Sequence, residues 1–439
     1  MFRFIILFII TVIIQSCANA ENHRPETTTL SCSVENDSIP LVVLRSFFNL
    51  HENIDLNELM AGIQSGKISC TSDAAMVIKD EFHIIDSLEI MSILNFPLTD
   101  TSQLIVTTLD SVIPGLLITP VNGSHVLRNR EKYPLWVSHS SGFDFDKHVT
   151  SYTHTGVTAL TRRTGTALNI MGNEKYIELI RPEIGSPDIL HVSNEVSILK
   201  GCDYGTMKMK FSTRPEHFEV LNLLGVDVVE LTGNHNMDVG QDAYAATMNW
   251  YRQNGMVTFG GGLTPQESSK PLILTLKDGK KIAWIGFNEF CPCGECSDIS
   301  MGANRYNEIK ASEIVKALRN NVDYIIAGVQ FGESDSYVPS ATQKKISRFL
   351  IDNGVDLVIG SQAHQPQSFE FYRGRMIFYG IGNFMFDQIH RLGVRQAYFL
   401  ECYFFKGRII QLIPHFTFMG DDRRPAPLLA TTPWGSISS

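Results

Sequence analysis

Apolar positions along this chain fall into two rhythms. Short apolar runs bounded by Gly, Pro, Asn or Asp read as buried strands, and apolar residues spaced three and four apart read as helices packed on one face. Beyond about residue 148 the two alternate. Strands are predicted at 188–192, 226–231, 282–286, 323–328, 355–360, 375–380 and 396–405. Helices are predicted at 214–224, with Pro215 in the first turn, at 242–253 before Asn254-Gly255, at 307–318, and at 341–351 before Asn353-Gly354. Such alternation predicts an α/β fold in layers, sheets flanked by helices. Upstream, residues 41–44, 104–108 and 116–118 read as strands and 55–64 as a short helix with Asp55 as N-cap, and Pro114-Gly115 marks a turn. This predicts a smaller α/β or α+β domain at 40–147 ahead of a main domain at 148–425, with 426–439 a tail. The small domain shows no catalytic motif.

The first apolar run has another meaning. Arg3 precedes Phe4 to Ile10 and Val12 to Ile14, too short a stretch to span a bilayer comfortably, and this is the pattern of an export signal. Ile14-Gln15-Ser16-Cys17 resembles a lipobox, which makes residues 1–17 a signal peptide and Cys17 the lipidated residue. Ala18-Asn19-Ala20 offers simple cleavage instead. Residues 18–39, rich in Thr, Asn and Ser, read as a tether. The expectation is an exported protein, lipid-anchored on the outer face of a bacterial membrane or periplasmic.

Composition narrows the classes. The chain has 439 residues, 44% hydrophobic and 19% charged, which excludes disorder throughout. Its net charge of −9 gives no general basic surface, so nucleic acid is not an expected partner. Of eight Cys, three sit close together as Cys291, Cys293 and Cys296. In an exported chain a local disulfide is the favoured reading, with free thiols or a zinc site as alternatives.

The candidate chemistry lies just after the predicted strands, where open α/β sheets bind ligands. Asn194 and Glu195 follow one strand, Gly233-Asn234-His235 and Asp238 a second, Gln330 and Glu333 a third, Gln362 and His364 a fourth, and Asn383 and Asp387 a fifth. Each loop alone is explained by turns and caps. Five on one edge point to a site. His235, Asp238 and Glu333 are the candidates for proton chemistry. Asn194, Asn234, Gln330, Gln362, Asn383 and Asp387 are candidates to line a polar groove, and Arg305 is a candidate basic contact.

These same loops carry a family resemblance. Thr155-Gly156-Val157 through Arg162, Val192-Ser193-Asn194-Glu195, Gly233-Asn234-His235 through Gly240, and the run from Gln330 to Gln388 resemble the bacterial capsule-synthesis family of poly-γ-glutamate CapA proteins, a branch of the calcineurin-like metallophosphoesterases. The resemblance spans roughly residues 150–390. It implies a metallophosphoesterase-like fold, a role in capsule or poly-γ-glutamate metabolism, an anionic surface polymer or its precursors as partner, and a membrane synthase complex as a second partner. It also implies Glu195, His235 and His364 as metal ligands. The departures matter as much. Val157 stands where the family has Asp, Gln330 where it has His, and Gln362 where it has a second His. The remaining donors suit one divalent ion (Mn, Fe or Zn) or none. A metal-assisted hydrolase or transferase and a non-catalytic accessory with a degenerate metal site therefore both remain open.

Overall fold

The structure is a computed structural model that describes residues 38–428, apart from 48, 50–51, 83, 85–87, 139–142, 204, 206–208 and 291–293. The expected signal segment, Cys17, the tether up to residue 37, Cys291 and Cys293 lie outside the described residues. Among the described residues, no helix is long and apolar enough to cross a membrane.

The layered part begins at the strand Val149–Thr158, near the centre of an eight-stranded sheet. Ile189–Asn194, Val228–Glu230 and Val257–Phe259 add to one side in parallel register. The long hairpin Gln396–Phe405 and Arg408–Met419 adds to the other side antiparallel. A second, six-stranded sheet holds Lys281–Asn288, Tyr324–Gln330, Leu357–Ser361 and Arg375–Phe378 in parallel, with antiparallel strands at both edges.

The sheets face each other. Tyr152, Ile189, Val228 and Phe259 from one meet Trp284, Ile326, Leu357 and Phe378 from the other in a shared core. Helices Arg162–Met171, Pro215–Leu224 and Gln241–Gln253 cover the outer face of the first sheet through residues such as Leu168, Phe218, Leu221 and Tyr244. Glu308–Arg319 and Ala341–Asp352 cover the outer face of the second through Ala311, Val315, Ile346 and Leu350. The fold is thus α/β in layers, each sheet carrying helices on one face and its companion sheet on the other. Near-continuous apolar strands such as Tyr324–Gln330, buried along their whole length, follow from that double cover.

The helix boundaries follow local chemistry. The Asp55 carboxylate accepts from the amides of Asn57 and Glu58 and starts the helix Leu56–Gln64. Ser340 and Gln343 form a reciprocal capping box at the head of Ala341–Asp352.

Residues 38–138 build a five-stranded sheet around Ser38–Ser46, with helices Leu56–Gln64 and Ser72–Phe82. Its core does not close by itself. Tyr403, Phe405 and Ile410 from the C-terminal hairpin pack into it. The buried Gln411 also accepts from the Ile118 amide at 2.8 Å and donates to the Leu116 carbonyl at 2.8 Å. Residues 38–138 and the hairpin Gln396–Met419 thus share one core, which strand prediction residue by residue does not anticipate. The last strand, Pro425–Pro427, pairs with Arg408–Met419 and runs just past the expected start of the tail at 426.

Candidate functional site

The strand ends of the two sheets meet in one polar groove, sealed at Gln330, Glu195 and Gln362 and reaching solvent at His235 and Glu333. Its hub is Gln330, the last residue of a fully buried strand. Its amide nitrogen Nε2 donates to Asn234 Oδ1 at 2.7 Å, to Glu195 Oε1 at 3.2 Å and to Gln362 Oε1. One residue thereby ties the loops after Ile189–Asn194, Val228–Glu230 and Leu357–Ser361 together. Gly233 lets this happen. A Cβ there would lie 2.9 Å from Glu195 Cγ and 3.0 Å from its Cα, so the loop approaches Glu195 only with glycine at that position.

Glu195 is 1% exposed. Burial pushes its carboxyl up to about 7, the charge of His235 pulling against that and Glu333 adding to it. His235 lies beside it. Burial opposes charge on its imidazole, but a 2.7 Å hydrogen bond from Nδ1 to Asp238 Oδ2 and the neighbouring Glu195 outweigh burial and raise its pKa above the ordinary value. Asp238 is fixed in turn by the Phe211 amide at 2.7 Å, and the Phe211 ring stacks on His235 with centroids 4.0 Å apart. The pair can hold and pass a proton, with His235 Nε2 as the outward nitrogen.

His364 forms the opposite wall. Asn383 donates through Nδ2 to the Val394 carbonyl at 3.1 Å and to Gln388 at 3.2 Å, so its Oδ1 is the atom facing His364 Nδ1 at 2.8 Å. Nδ1 therefore carries the proton and Nε2 the lone pair, 3.9 Å from Glu333 Oε1. Burial drives the His364 pKa down to about 4, against the pull of the Asn383 hydrogen bond, so the ring is neutral near pH 7. Glu333 itself is solvent-facing.

Other candidates turn inward. The Asn194 amide donates to the Val196 carbonyl at 2.7 Å and holds its own loop. The two oxygens of Asp387 serve Arg162 and its neighbour: Oδ1 accepts from Arg162 Nε at 3.0 Å and from Nη2, and Oδ2 accepts from the Arg163 amide at 3.2 Å. Asp387 is thus an anchor for Arg162 rather than a lining residue. Arg305 spends its Nη1 on the Glu289 carbonyl at 3.0 Å. Cys296 is a free, half-buried thiol.

The donor set can be tested against the metal that the family resemblance implies. Val157 is 1% exposed and packs in the apolar core beneath the helices, so it offers no donor. Three oxygens (from Glu195, Asn234 and Gln362) converge on the Gln330 amide nitrogen, so they are engaged with a neutral donor. It shares two hydrogens among three acceptors. Glu195 Oε2, Gln330 Oε1 and Asn194 Oδ1 are buried without partners, and they are too few to complete a two-ion centre. Glu195, His235 and His364 do not form a tight three-ligand cluster among the described residues. The cluster that does exist is His154, His191 and Glu230, buried between the sheets, with ligand atoms within 4.8 Å of one another. This set could hold a metal ion. In the structure its imidazoles stack face to face at 3.7 Å, His191 Nε2 lies 3.3 Å from Glu230, and His154 Nδ1 lies 2.6 Å from the Tyr152 hydroxyl. Gly328 accommodates it, since a Cβ there would fall 2.4 Å from Glu230 Oε2.

The sequence patterns of the bacterial capsule synthesis protein PGA_cap family match residues 149–388, more than half of the chain. The chain belongs to this family. Among curated relatives, the capsule biosynthesis protein CapA of Bacillus anthracis is 24% identical over 245 residues, covering 54% of this chain and 59% of that protein. The PGA biosynthesis protein CapA of Bacillus subtilis is 22% identical over 224 residues, covering 49% and 58%. The chain thus spans less than two thirds of the length of these relatives. Among solved structures, NAD nucleotidase of Haemophilus influenzae aligns at a TM-score of 0.37 and 14% identity, covering 64% of this chain and 54% of that one. A 5'-nucleotidase of Candida albicans aligns at a TM-score of 0.37 and 10% identity, covering 62% and 52%. Every segment quoted for the resemblance falls within the matched residues.

Proposed function

We propose that this PGA_cap family chain serves capsule or poly-γ-glutamate biosynthesis as an exported accessory that binds the anionic polymer, or a membrane synthase carrying it, in the strand-end groove. Cys17 would hold it at the membrane by a lipid. The observation that carries this reading is the Gln330 hub. The oxygens that would ligate a catalytic metal there are spent on a neutral amide, so the groove keeps its shape through hydrogen bonds and needs no ion to hold its loops together. Family membership and the CapA relatives support the biosynthetic setting.

A second reading, a hydrolase or transferase, is favoured by one specific observation. The hydrogen-bonded His235–Asp238 pair stands next to Glu195, two groups able to exchange a proton near neutral pH.

The deciding experiment pairs metal analysis with turnover on protein starting after Ala20 and purified without chelator. The accessory reading expects no stoichiometric Mn, Fe or Zn lost in His235→Ala, no turnover of γ-glutamyl polymer, and measurable polymer binding. Turnover that disappears in His235→Ala would replace it with the enzyme reading.

A further inference from the structure

Arg162 is used by neither reading, and its surroundings are more specific than those of any other charged group in the groove. Its side chain is 10% exposed, and that of its partner Asp387 is 0% exposed. The residue adopts φ +50°, a left-handed backbone that a non-glycine residue holds only when its surroundings impose it. The guanidinium carbon lies 4.8 Å from the ring centre of Phe211 and 4.8 Å from that of Phe386. Phe211 stacks on His235 at 4.0 Å, and Phe386 lies 5.4 Å from the His364 ring. Arg162 is thus the middle of a stack that begins with one groove imidazole and ends with the other.

Asp387 takes only one edge of this guanidinium. Nε and Nη2 both point to Oδ1, while Oδ2 is occupied by the Arg163 amide. A guanidinium has five N–H donors in a planar fork. Two are used here, and the end-on edge formed by Nη1 and the remaining N–H of Nη2 has no protein partner among the described residues. The Arg162 side chain keeps 10% exposure. A buried, pre-aimed guanidinium with a free end-on edge matches the two oxygens of a carboxylate.

We propose that Arg162 is the anchor of an anion subsite that takes one carboxylate of the polymer end-on, between the imidazoles of His235 and His364. Asp387, Phe211 and Phe386 position it. The subsite gives the groove a fixed register for a chain that carries a carboxylate on every residue. This inference rests on the polymer-binding reading above and deepens it.

The test is a titration of the full chain with a short γ-linked glutamate oligomer, and separately with inorganic phosphate, followed by calorimetry and by the imidazole NMR signals of His235 and His364. The expected result is saturable binding of the oligomer that moves both imidazole signals, with phosphate at least about 10-fold weaker. Arg162→Lys keeps the charge but loses the fork, and is expected to weaken the oligomer about 10-fold or more. Oligomer binding that leaves both imidazoles unmoved, or that Arg162→Lys does not weaken, overturns the subsite while leaving the accessory reading standing. Tighter binding of phosphate than of oligomer overturns the carboxylate assignment. If the oligomer binds nowhere on the protein, the accessory reading itself falls. The wild-type signals decide the matter even if Arg162→Lys fails to fold.

Discussion

The His235–Asp238 pair shows how much of a site can be legible residue by residue. The sequence offers both Asn234 and Asp238 as residues able to orient the His235 ring, and the 2.7 Å hydrogen bond gives that role to Asp238. Since Asp238 is the largest influence raising the His235 pKa, Asp238→Asn is expected to lower it, read by NMR titration of the ring protons. Glu195 gives the opposite kind of prediction. Its folded pKa, about 7, lies above the value of an exposed glutamate, so the folded state holds a proton that the unfolded state releases between about pH 4.5 and 7. Stability from this group is present at acid pH and is lost as pH rises through 7. Glu195→Gln should remove that loss and raise stability at pH 8 relative to pH 5, measured by urea unfolding at both. Arg162 was not legible in this way. Its partners Phe211, Phe386 and Asp387 are far away in the sequence and meet only after the sheets are in place.

At the scale of elements, many strands and helices of the layered part were readable from one-pattern segments bounded by turn residues, whereas strands Val149–Thr158, Val257–Phe259 and Arg408–Met419 and helix Arg162–Met171 were not among those expected. The contacts between loops were not readable. The sequence shows Gln330, Gln362 and Asn234 as polar residues after strands, but nothing in it says that one amide nitrogen would gather the oxygens of the others. That depends on which strand ends face each other across two sheets, and periodicity does not encode it. His154 is a related case. On its strand it points between the sheets toward His191, while Val157 points into the helix-covered core, so one strand feeds two different environments. The loop carrying Gly233 is where an element-level prediction is sharpest. Gly233→Ala would press a methyl group against Glu195 and against the Asn236 side-chain nitrogen at 3.1 Å. The expected cost is about 1–3 kcal/mol in equilibrium unfolding, with loss of the protected Asn236 contacts.

For the molecule as a whole, the core of residues 38–138 is distinct from those of the layered sheets yet includes residues from far beyond position 147. The reason is physical: the first sheet lacks enough apolar cover and borrows Tyr403, Phe405 and Ile410 from the far end of the chain. Gln411 is the polar tie in that borrowed cover. Gln411→Leu leaves the Ile118 amide and the Leu116 carbonyl without their partner, and each stranded group costs about 1–3 kcal/mol. The expected result is faster hydrogen exchange at Ile118 and earlier proteolytic cleavage within 38–138, while the strand-end groove keeps its protection.

That arrangement has a temporal side. A chain leaves the ribosome or a translocon with its N-terminus first, so Val42 and Ile105 emerge long before Phe405 can cover them. The first sheet must wait, unfinished, until the hairpin that holds Tyr403, Phe405 and Ile410 has followed. A product ending before residue 396 is therefore expected to present an open apolar face in residues 38–138 and to be degraded or aggregate rather than persist as a shortened protein, which pulse-chase sampling of such a truncation would show.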